Sequence, residues 1–430
     1  MTPSPVVVVL TSRWETRTEG GWAARQVAGA LACAADVHVV TPEGHAPGTS
    51  RDSVFTLHRL GRPVDPRSEL RRDLVLDALA AAARPNASSH PPDPSAMPEL
   101  GLLLDEGLVD AWRGAAAVVE RLHPDLVLVV DHRNRGAVTA LDGFPDLPCA
   151  LLMLGPEAAG MTSVYLAPVF ERADHVLAIT SGDASVAAQA HPRAQVHQIG
   201  LPGAADATAL REPNPWVGNT GYVLVLTNGP GERFDPPAEG AAESRGGQAQ
   251  EAQPPATLAR LVRYAFPEVP VGISSTRDFR VWHRGRLSTG WPIERASDLA
   301  RLLAWAAVTV DLRPGPLLAR RCIDSLLYGT PLVVPAESRA REHAELGRGG
   351  LWFSNPGELL WCIEAALDPA VGPVLGSQGQ RYAEQHFGST TGFIARVLAA
   401  VGLDAGPATA VPPEQLREQL GHHAVKDVRL

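Results

Sequence analysis

The sequence has almost no lysine and no long apolar run. Lys426 is the only lysine among 430 residues, so every other basic side chain is an arginine. Codon bias in a GC-rich genome explains this shortage most simply, but chemistry that requires a lysine amine must use Lys426 or is absent. No run of eighteen or more apolar residues occurs, and the apolar run at 6–10 is short and lacks the basic flank of a signal peptide. We therefore expect no transmembrane segment.

Cysteine and net positive charge are also scarce. The four cysteines, Cys33, Cys149, Cys322 and Cys362, are far apart and form no Cys-x-x-Cys pair, which argues against a disulfide framework or a zinc site. They are predicted to be buried thiols in a reducing cytoplasm. Acidic residues exceed basic ones by 47 to 38, whereas nucleic-acid binders normally carry a basic patch. We expect a cytoplasmic protein with no nucleic-acid partner and no metal.

The length of the chain and its first hundred residues predict a multidomain α/β protein. A chain of 430 residues is too long to fold around one ordinary hydrophobic core, so we expect two domains. The 40 glycines and 38 prolines indicate many loops. A continuous β-branched run at 6–10 is typical of a strand covered on both faces. It is followed by an apolar-faced helical segment at 21–32 and a second strand at 35–44. This β-loop-α-β unit indicates the start of a doubly wound domain.

The strand pattern continues through the first half and restarts in the second. Strands are predicted at 124–131, 148–154, 175–181, 195–203 and 221–229, with a helix at 111–122 and a Pro/Ser-rich surface loop at 84–99. The stretch 236–255 has almost no apolar side chains, so we expect a disordered insertion. Strands and helices alternate from 257 to 335, which predicts a second parallel α/β domain.

Two loops after strands are candidate ligand sites, because ligands bind beyond the carboxyl ends of the strands in such sheets. Gly20 and Gly21 open the first helix, where a ligand can approach closely and negative charge is favoured. Asn228 and Arg233 follow the first strand of the second half, and Arg233 is a candidate phosphate-binding cation. A structural glycine turn and a solvated loop are the respective alternatives.

A third candidate loop lies at 311–334. A strand ends there, a Pro-Gly-Pro turn contains Gly315, and a helix is predicted to start near Leu317. The free amides of Leu317 and Leu318 can hold a diphosphate or sugar hydroxyls. Asp324 can accept hydrogen bonds from a ribose, although an acid that only offsets the adjacent arginines is the alternative.

Several motifs together resemble one family. They are GG-x5-V-x3-L at 20–31, RADHVLAITSGDA at 172–184, and LLAWAAVTVDLRPGP, IDSLLYGTPLVVP and EHAELGRGGLWF within 302–353. In the last two, Gly329-Thr330-Pro331, Glu342, Gly347 and Gly350 stand in the family's order and spacing. These motifs resemble the retaining GT-B nucleotide-sugar glycosyltransferases of the glycosyl transferase family 4, or group 1, type.

The resemblance implies a GT-B fold, an α/β architecture of two doubly wound Rossmann-like domains facing an interdomain cleft. It implies an acceptor-side domain at 1–215, a donor-side domain at 216–402, and a polar tail at 403–430. Such enzymes transfer a sugar from a nucleoside-diphosphate sugar with retention. They need no metal or other cofactor, because side chains and helix amides stabilise the departing diphosphate.

The family's functional positions are only partly kept. Its diphosphate-binding arginine and lysine fall on Asn228 and Arg233, so one charge is lost and one is kept. Its paired acids fall on Pro316 and Asp324, and its histidine falls near Leu154. The catalytic residues therefore stay unassigned. His132 follows another strand and is a candidate substitute, or a plain surface histidine.

Three hypotheses follow. The first is a glycosyltransferase that binds a nucleotide sugar and an unknown acceptor. The second is a catalytically degenerate GT-B protein that acts as a binding or regulatory partner of another protein, with the stretch 236–255 facing that partner. The third, a GT-B epimerase, lacks a matching cluster of acids and histidines in the sequence.

Overall fold

The structure is a computed structural model that describes the chain in fifteen segments. These are residues 4–12, 14, 19–44, 47–51, 55–61, 110–131, 133–154, 161–201, 221–227, 255–274, 278–284, 286–292, 296–313, 320–388 and 390–403. The predicted loop at 84–99 lies outside these residues. So do the predicted insertion at 236–255, apart from Pro255, and the tail at 403–430, apart from Leu403.

The described residues form two compact units, each built on its own sheet. The first unit lies within Met1–Pro202 and Ser389–His423, and the second lies within Gly203–Gly388. Both sheets are mostly parallel and are connected through helices, so the predicted α/β class is confirmed.

In the described part of the first unit, eight strands form one sheet in the order β3-β4-β2-β1-β5-β6-β7-β8. They are β1 (Val6–Leu10), β2 (Asp36–Thr41), β3 (Gly48–Arg51), β4 (Thr56–Arg59), β5 (Leu126–Val130), β6 (Cys149–Leu152), β7 (His175–Ala178) and β8 (Gln195–Gln198). All neighbours are parallel except β3 and β4. The strands predicted in this half are confirmed, whereas β3 and β4 were not predicted.

In the described part of the second unit, seven strands follow the order β12-β11-β10-β9-β13-β14-β15. They are β9 (Tyr222–Leu226), β10 (Val271–Ser274), β11 (Asp278–His283), β12 (Arg286–Pro292), β13 (Ala306–Asp311), β14 (Leu332–Pro335) and β15 (Gly350–Phe353). The central strands β9 and β13 are buried along most of their length, because a parallel sheet is covered on both faces.

The second sheet is parallel, as predicted, except at one edge. β10 pairs antiparallel with β11, and β11 pairs antiparallel with β12. A parallel neighbour requires a crossover of a dozen or more residues, whereas three residues separate β10 from β11 and two separate β11 from β12. Arg284, in the shorter connection, adopts the left-handed conformation that such tight hairpins use.

The helices alternate with the strands along most of the chain. They are α1 (Glu19–Leu31), α2 (Ala115–Leu122), α3 (Arg135–Thr139), α4 (Met161–Arg172), α5 (Ser181–Ala190), α6 (Pro255–Ala265), α7 (Ala296–Trp305), α8 (Arg320–Leu327), α9 (Ala340–Leu346), α10 (Pro356–Leu367), α11 (Gly372–Phe387) and α12 (Thr390–Ala400). The predicted start of α8 near Leu317 lies outside the described residues. No single helix of the described segments is long and apolar enough to cross a membrane; the bent pair of α10 and α11 passes that test together, by length and composition only.

The last described helix packs on the first unit. Phe393 and Val397 of α12 are fully buried, and α12 contacts α1 and β7. The Arg396 Nε donates to the carbonyl oxygen of Ile199 at 2.8 Å. By its contacts α12 thus belongs to the first unit, whereas the sequence boundary at 402 groups it with the second half.

Helix α11 lies close to α8 because its buried face is made of small residues. Gly372, Gly376, Gly379 and Ala383 are all buried on α11. A Cβ atom built on Gly379 would lie 2.5 Å from the Leu326 Cδ2 of α8, and one on Gly376 would collide with the Gly329 carbonyl oxygen after α8. Bare backbone is therefore required for α11 to hold α8 in its place.

We predict that Gly376→Ala destabilises the protein by about 2 kcal/mol. Overpacking costs up to about 3 kcal/mol, and replacing a helical glycine by alanine returns about 1 kcal/mol. Gly143→Ala is the control for the substitution itself, because Gly143 is an exposed turn residue where a Cβ atom meets nothing within 4 Å. Urea denaturation followed by circular dichroism measures both variants, and equal stabilities would contradict the packing argument.

Candidate functional site

Two side-chain hydrogen bonds fix α8 along β13. The Cys322 Sγ donates to the Asp311 Oδ2 at 3.0 Å, and the Ser325 Oγ donates to the Thr309 Oγ1 at 2.8 Å. Asp311 ends β13, and Thr309 lies two residues earlier, so α8 runs back along the strand. The amino-terminal end of α8 therefore lies at the carboxyl end of β13. Ligands bind at this edge in open parallel α/β sheets.

A buried ion pair occupies the same end of β13. The Arg313 Nε lies 2.8 Å from the Asp311 Oδ1, and the Arg313 Nη2 lies 2.6 Å from the Asp311 Oδ2. The backbone N–H of Arg313 also donates to the Asp311 Oδ1 at 3.1 Å. Asp311 is fully buried, and Arg313 is nearly so. This bidentate arrangement locks the direction in which the chain leaves the strand.

The carboxyl group of Asp311 is held in its charged form. Burial by itself raises the pKa of Asp311, but the positive charge of Arg313 and hydrogen bonds from Arg313 and Cys322 outweigh it, and the pKa lies below its usual value. The pair is therefore ionised at neutral pH, with each charge compensated by the other.

Asp324 is the acidic residue on α8 and is largely buried. It is 7% exposed, and its Oδ2 lies 3.5 Å from the Arg320 Nε one turn earlier. In sequence it stands between Cys322 and Ser325, the two residues that join α8 to β13. The carboxylate thus lies near the middle of a helix whose position is fixed on the sheet.

The Gly-Thr-Pro motif after α8 has a structural role. Gly329 ends the helix with a φ of 74°, the left-handed conformation that glycine adopts without strain. The Thr330 Oγ1 donates to the Leu303 carbonyl oxygen of α7 at 2.9 Å. β14 then begins at Leu332. The motif therefore turns the chain from α8 into β14 and ties that turn to α7.

The glycines of the last motif are also explained by close packing. A Cβ atom on Gly350 would lie 2.6 Å from the Leu332 carbonyl oxygen, and one on Gly347 would lie 2.7 Å from that of His343. Glu342, in the same motif, lies in the first turn of α9. Among the described residues, the glycines of this motif therefore allow α9, β15 and β14 to pack closely.

Comparison with known proteins identifies the architecture. No protein-family model and no curated protein sequence matches the chain. Solved structures match nearly its whole length. A sucrose-phosphate synthase from Thermosynechococcus elongatus is 13% identical and covers 92% of this chain and 98% of its own, with a TM-score of 0.58.

Two further structures agree. The N-terminal domain of the trehalose-6-phosphate phosphatase of Candida albicans is 10% identical, covers 93% of this chain and 97% of its own, and has a TM-score of 0.61. The UDP-forming α,α-trehalose-phosphate synthase of Burkholderia xenovorans, solved with glucose-6-phosphate, is 12% identical to this chain. The match covers 93% of this chain and 100% of the synthase chain, with a TM-score of 0.55. The chain has the GT-B fold. At these identities the likeness shows the fold alone.

The GT-B structure describes four of the predicted site positions. Gly20 and Gly21 are buried in the first turn of α1, in the first unit. Leu154, at the family's histidine position, is buried two residues after β6. Asp324 lies on α8 of the second unit. Outside the described residues are Asn228, Arg233, Gly315, Pro316, Leu317, Leu318 and the substitute His132. The donor-binding roles of all these residues stay predictions.

Asp311 and Arg313 were not among the predicted site residues. The sequence feature that could have identified them is a pair of opposite charges, two residues apart, at the end of the apolar strand VTVDLR.

Within the described segments of the GT-B chain, no group of three or more His, Cys, Asp or Glu side chains is arranged to hold a metal ion.

A pair of histidines, one buried and one half-buried, lies near one edge of the first sheet. The His38 Nδ1 lies 3.0 Å from the His58 Nε2, and the His58 Nδ1 lies 3.2 Å from the Thr49 Oγ1 of the edge strand β3. Burial, and then the charges of His38 and Arg121, lower the pKa of His58 to about 4. These groups form a polar seam between strands β2, β3 and β4.

His343 in α9 is buried beside the motif residue Glu342. Its Nδ1 lies 3.1 Å from the Tyr382 hydroxyl oxygen of α11. Burial lowers the pKa of His343 to about 4, against the opposing charge of Glu342 and with smaller contributions from Arg339 and His386. At neutral pH the imidazole is therefore neutral and serves as a packing partner between two helices.

We predict that the free energy of unfolding falls as the pH is lowered from about 6.5 to about 4. The folded-state pKa of His343 lies below the 6.5 of a free histidine, so the unfolded chain binds more protons in this window. His343→Gln should reduce this dependence and leave the part that comes from His58, whereas Tyr382→Phe, which keeps the imidazole, should retain it in full. Melting temperatures at pH 7.5 and 5 measure both; an unchanged slope in His343→Gln would contradict the assignment.

Proposed function

We propose that the protein binds a nucleoside-diphosphate sugar, mainly through its second unit, and transfers the sugar, with retention, to an acceptor that is still unknown. The observation that carries the proposal is Asp324, a nearly buried acid on α8, the helix whose amino-terminal end lies at the carboxyl end of β13 in a GT-B fold. A ribose offers two neighbouring hydroxyl groups, and a carboxylate can accept a hydrogen bond from each.

The structural neighbours support this choice of ligand. One is named as a sucrose-phosphate synthase, and another is named as a UDP-forming trehalose-phosphate synthase. Both names describe products that contain linked sugars, and the second also names a nucleoside diphosphate as a product. For this chain, a nucleotide sugar is the donor that fits the fold and Asp324 together.

We assign the diphosphate to cations and backbone amides without a metal ion. The donor-binding residues that we propose, besides Asp324, are Gly20, Gly21, Asn228, Arg233, Gly315, Leu317 and Leu318. Arg233 replaces the family's lysine and keeps its charge, and amides at the start of α8 favour the negative charge that develops on the leaving group. A nucleotide-sugar substrate and four widely separated cysteines suit the cytoplasm, where we place the protein.

The chemical step has no assigned acid or base. Pro316 has no side-chain acceptor and no backbone N–H, and Leu154 has no titratable group. Rate enhancement would therefore depend on holding the donor and on stabilising the departing diphosphate. Membership of the family 4 type is part of the same proposal.

We predict that Asp324→Ala weakens nucleotide-sugar binding about tenfold or more, since a hydrogen bond to a charged group contributes about 1.5–3 kcal/mol. Isothermal titration with UDP-glucose, GDP-mannose and TDP-glucose measures this. Asp298→Ala is the matched control, because Asp298 is also a helical acid next to an arginine, Arg301, at 3.9 Å. The control should bind as the wild type does.

The same titration can overturn the proposal. Folded wild-type protein that binds none of the three donors would contradict it and favour a partner-binding role. If a donor binds, the anomeric configuration of the hydrolysis or transfer product, read by nuclear magnetic resonance, tests retention. An inverted product would contradict that part alone.

A further inference from the structure

The carboxylate of Asp311 joins two separate segments of the second unit. Its Oδ1 accepts hydrogen bonds from the backbone N–H and the Nε of Arg313, directly after β13. Its Oδ2 accepts from the Arg313 Nη2 and from the thiol of Cys322, which belongs to α8. The ion pair thus holds the end of the strand, and the thiol connects that end to the helix.

The contact to Cys322 is one of two on the same face of α8. Residues three apart in a helix share a face, and Cys322 and Ser325 both face β13. Leu326 packs against the bare backbone of Gly379 on α11. The helix is therefore fixed by polar contacts on the strand side and by close packing on the α11 side.

Asp324 lies on the helix that these contacts hold against the sheet. It stands between Cys322 and Ser325 in sequence, and its ion pair to Arg320 joins two residues of α8. Of the two contacts to β13, the one between Cys322 and Asp311 lies nearer the carboxyl end of the strand.

We infer that Asp311 is a positioning residue: through Cys322 it fixes α8, and with it the carboxylate of Asp324, at the carboxyl end of β13. The consequence for a ligand rests on the proposed function. A thiol is a weak donor, so the contact needs a charged acceptor to be effective. Arg313 keeps that acceptor charged in a buried place.

The test uses cysteine variants of the full chain, because loss of Asp311 would leave Arg313 buried without its counter-charge and could prevent folding. Cys322→Ala removes the contact to Asp311, and Cys322→Ser restores a donor to the carboxylate. Cys362→Ala is the matched control: Cys362 is also a buried helical cysteine, but its thiol donates to the Trp352 carbonyl oxygen at 3.5 Å, on β15.

Hydrogen exchange in the ligand-free protein is the first measurement. The backbone amides of 320–327 should exchange about fivefold faster in Cys322→Ala than in Cys362→Ala, as expected for the loss of one buried hydrogen bond. Cys322→Ser should return towards the wild type. Equal exchange of this segment in Cys322→Ala and in Cys362→Ala would overturn the inference, whether or not the protein binds nucleotides.

Titration with UDP, GDP and TDP is the second measurement. Cys322→Ala should weaken the binding of whichever nucleotide the wild type binds by about fivefold, and Cys322→Ser and Cys362→Ala should not. Faster exchange of α8 with unchanged affinity would overturn the positioning role. A wild type that binds no nucleotide would instead overturn the proposed function, and the exchange data alone would then decide whether Asp311 fixes α8.

Discussion

A fully buried carboxylate stays ionised only if a counter-charge and hydrogen bonds replace the water that it has lost, and Asp311 meets this condition at the end of β13. Arg313 supplies a planar fork that engages both carboxylate oxygens, which a lysine ammonium could not do. Because the two residues are only two positions apart, the ion pair also fixes how the chain leaves the strand. The remaining acceptor capacity of Asp311 then receives Cys322 and brings α8 back to the same point.

The opposite side of α8 packs against a part of α11 that carries glycines in place of larger side chains. Gly376 and Gly379 let the backbone of α11 approach the end of α8 and the turn at Gly329. The glycines that carry the family resemblance, Gly347 and Gly350, likewise stand where a Cβ atom would collide with a carbonyl oxygen. These motif residues therefore preserve the architecture. That explains why the fold can be kept while the positions for chemistry change.

The sequence predicted the fold well and the contacts of the site poorly, for physical reasons. Continuous apolar strands such as β1 and β9 signal burial on both faces locally, and their alternation with helices implies parallel order. The strand β12 and its hairpin with β11 were missed because the sequence RLSTGWP carries little periodic signal. The pairs His38–His58 and Asp311–Cys322 join different elements, so only strand register and helix placement bring them together. Asp324 was singled out as a candidate because it lies within a recognisable motif.

The fold and the departures from the family pattern have different consequences for function. A GT-B fold supports many reactions, so activity must be argued from individual side chains. Pro316 and Leu154 take away an acceptor and an imidazole, whereas Asp324 and its supports at Asp311 and Cys322 remain. The Asp311–Arg313 pair fixes the end of β13 with or without a ligand, so it carries no information about turnover, and the case for a nucleotide sugar depends on Asp324.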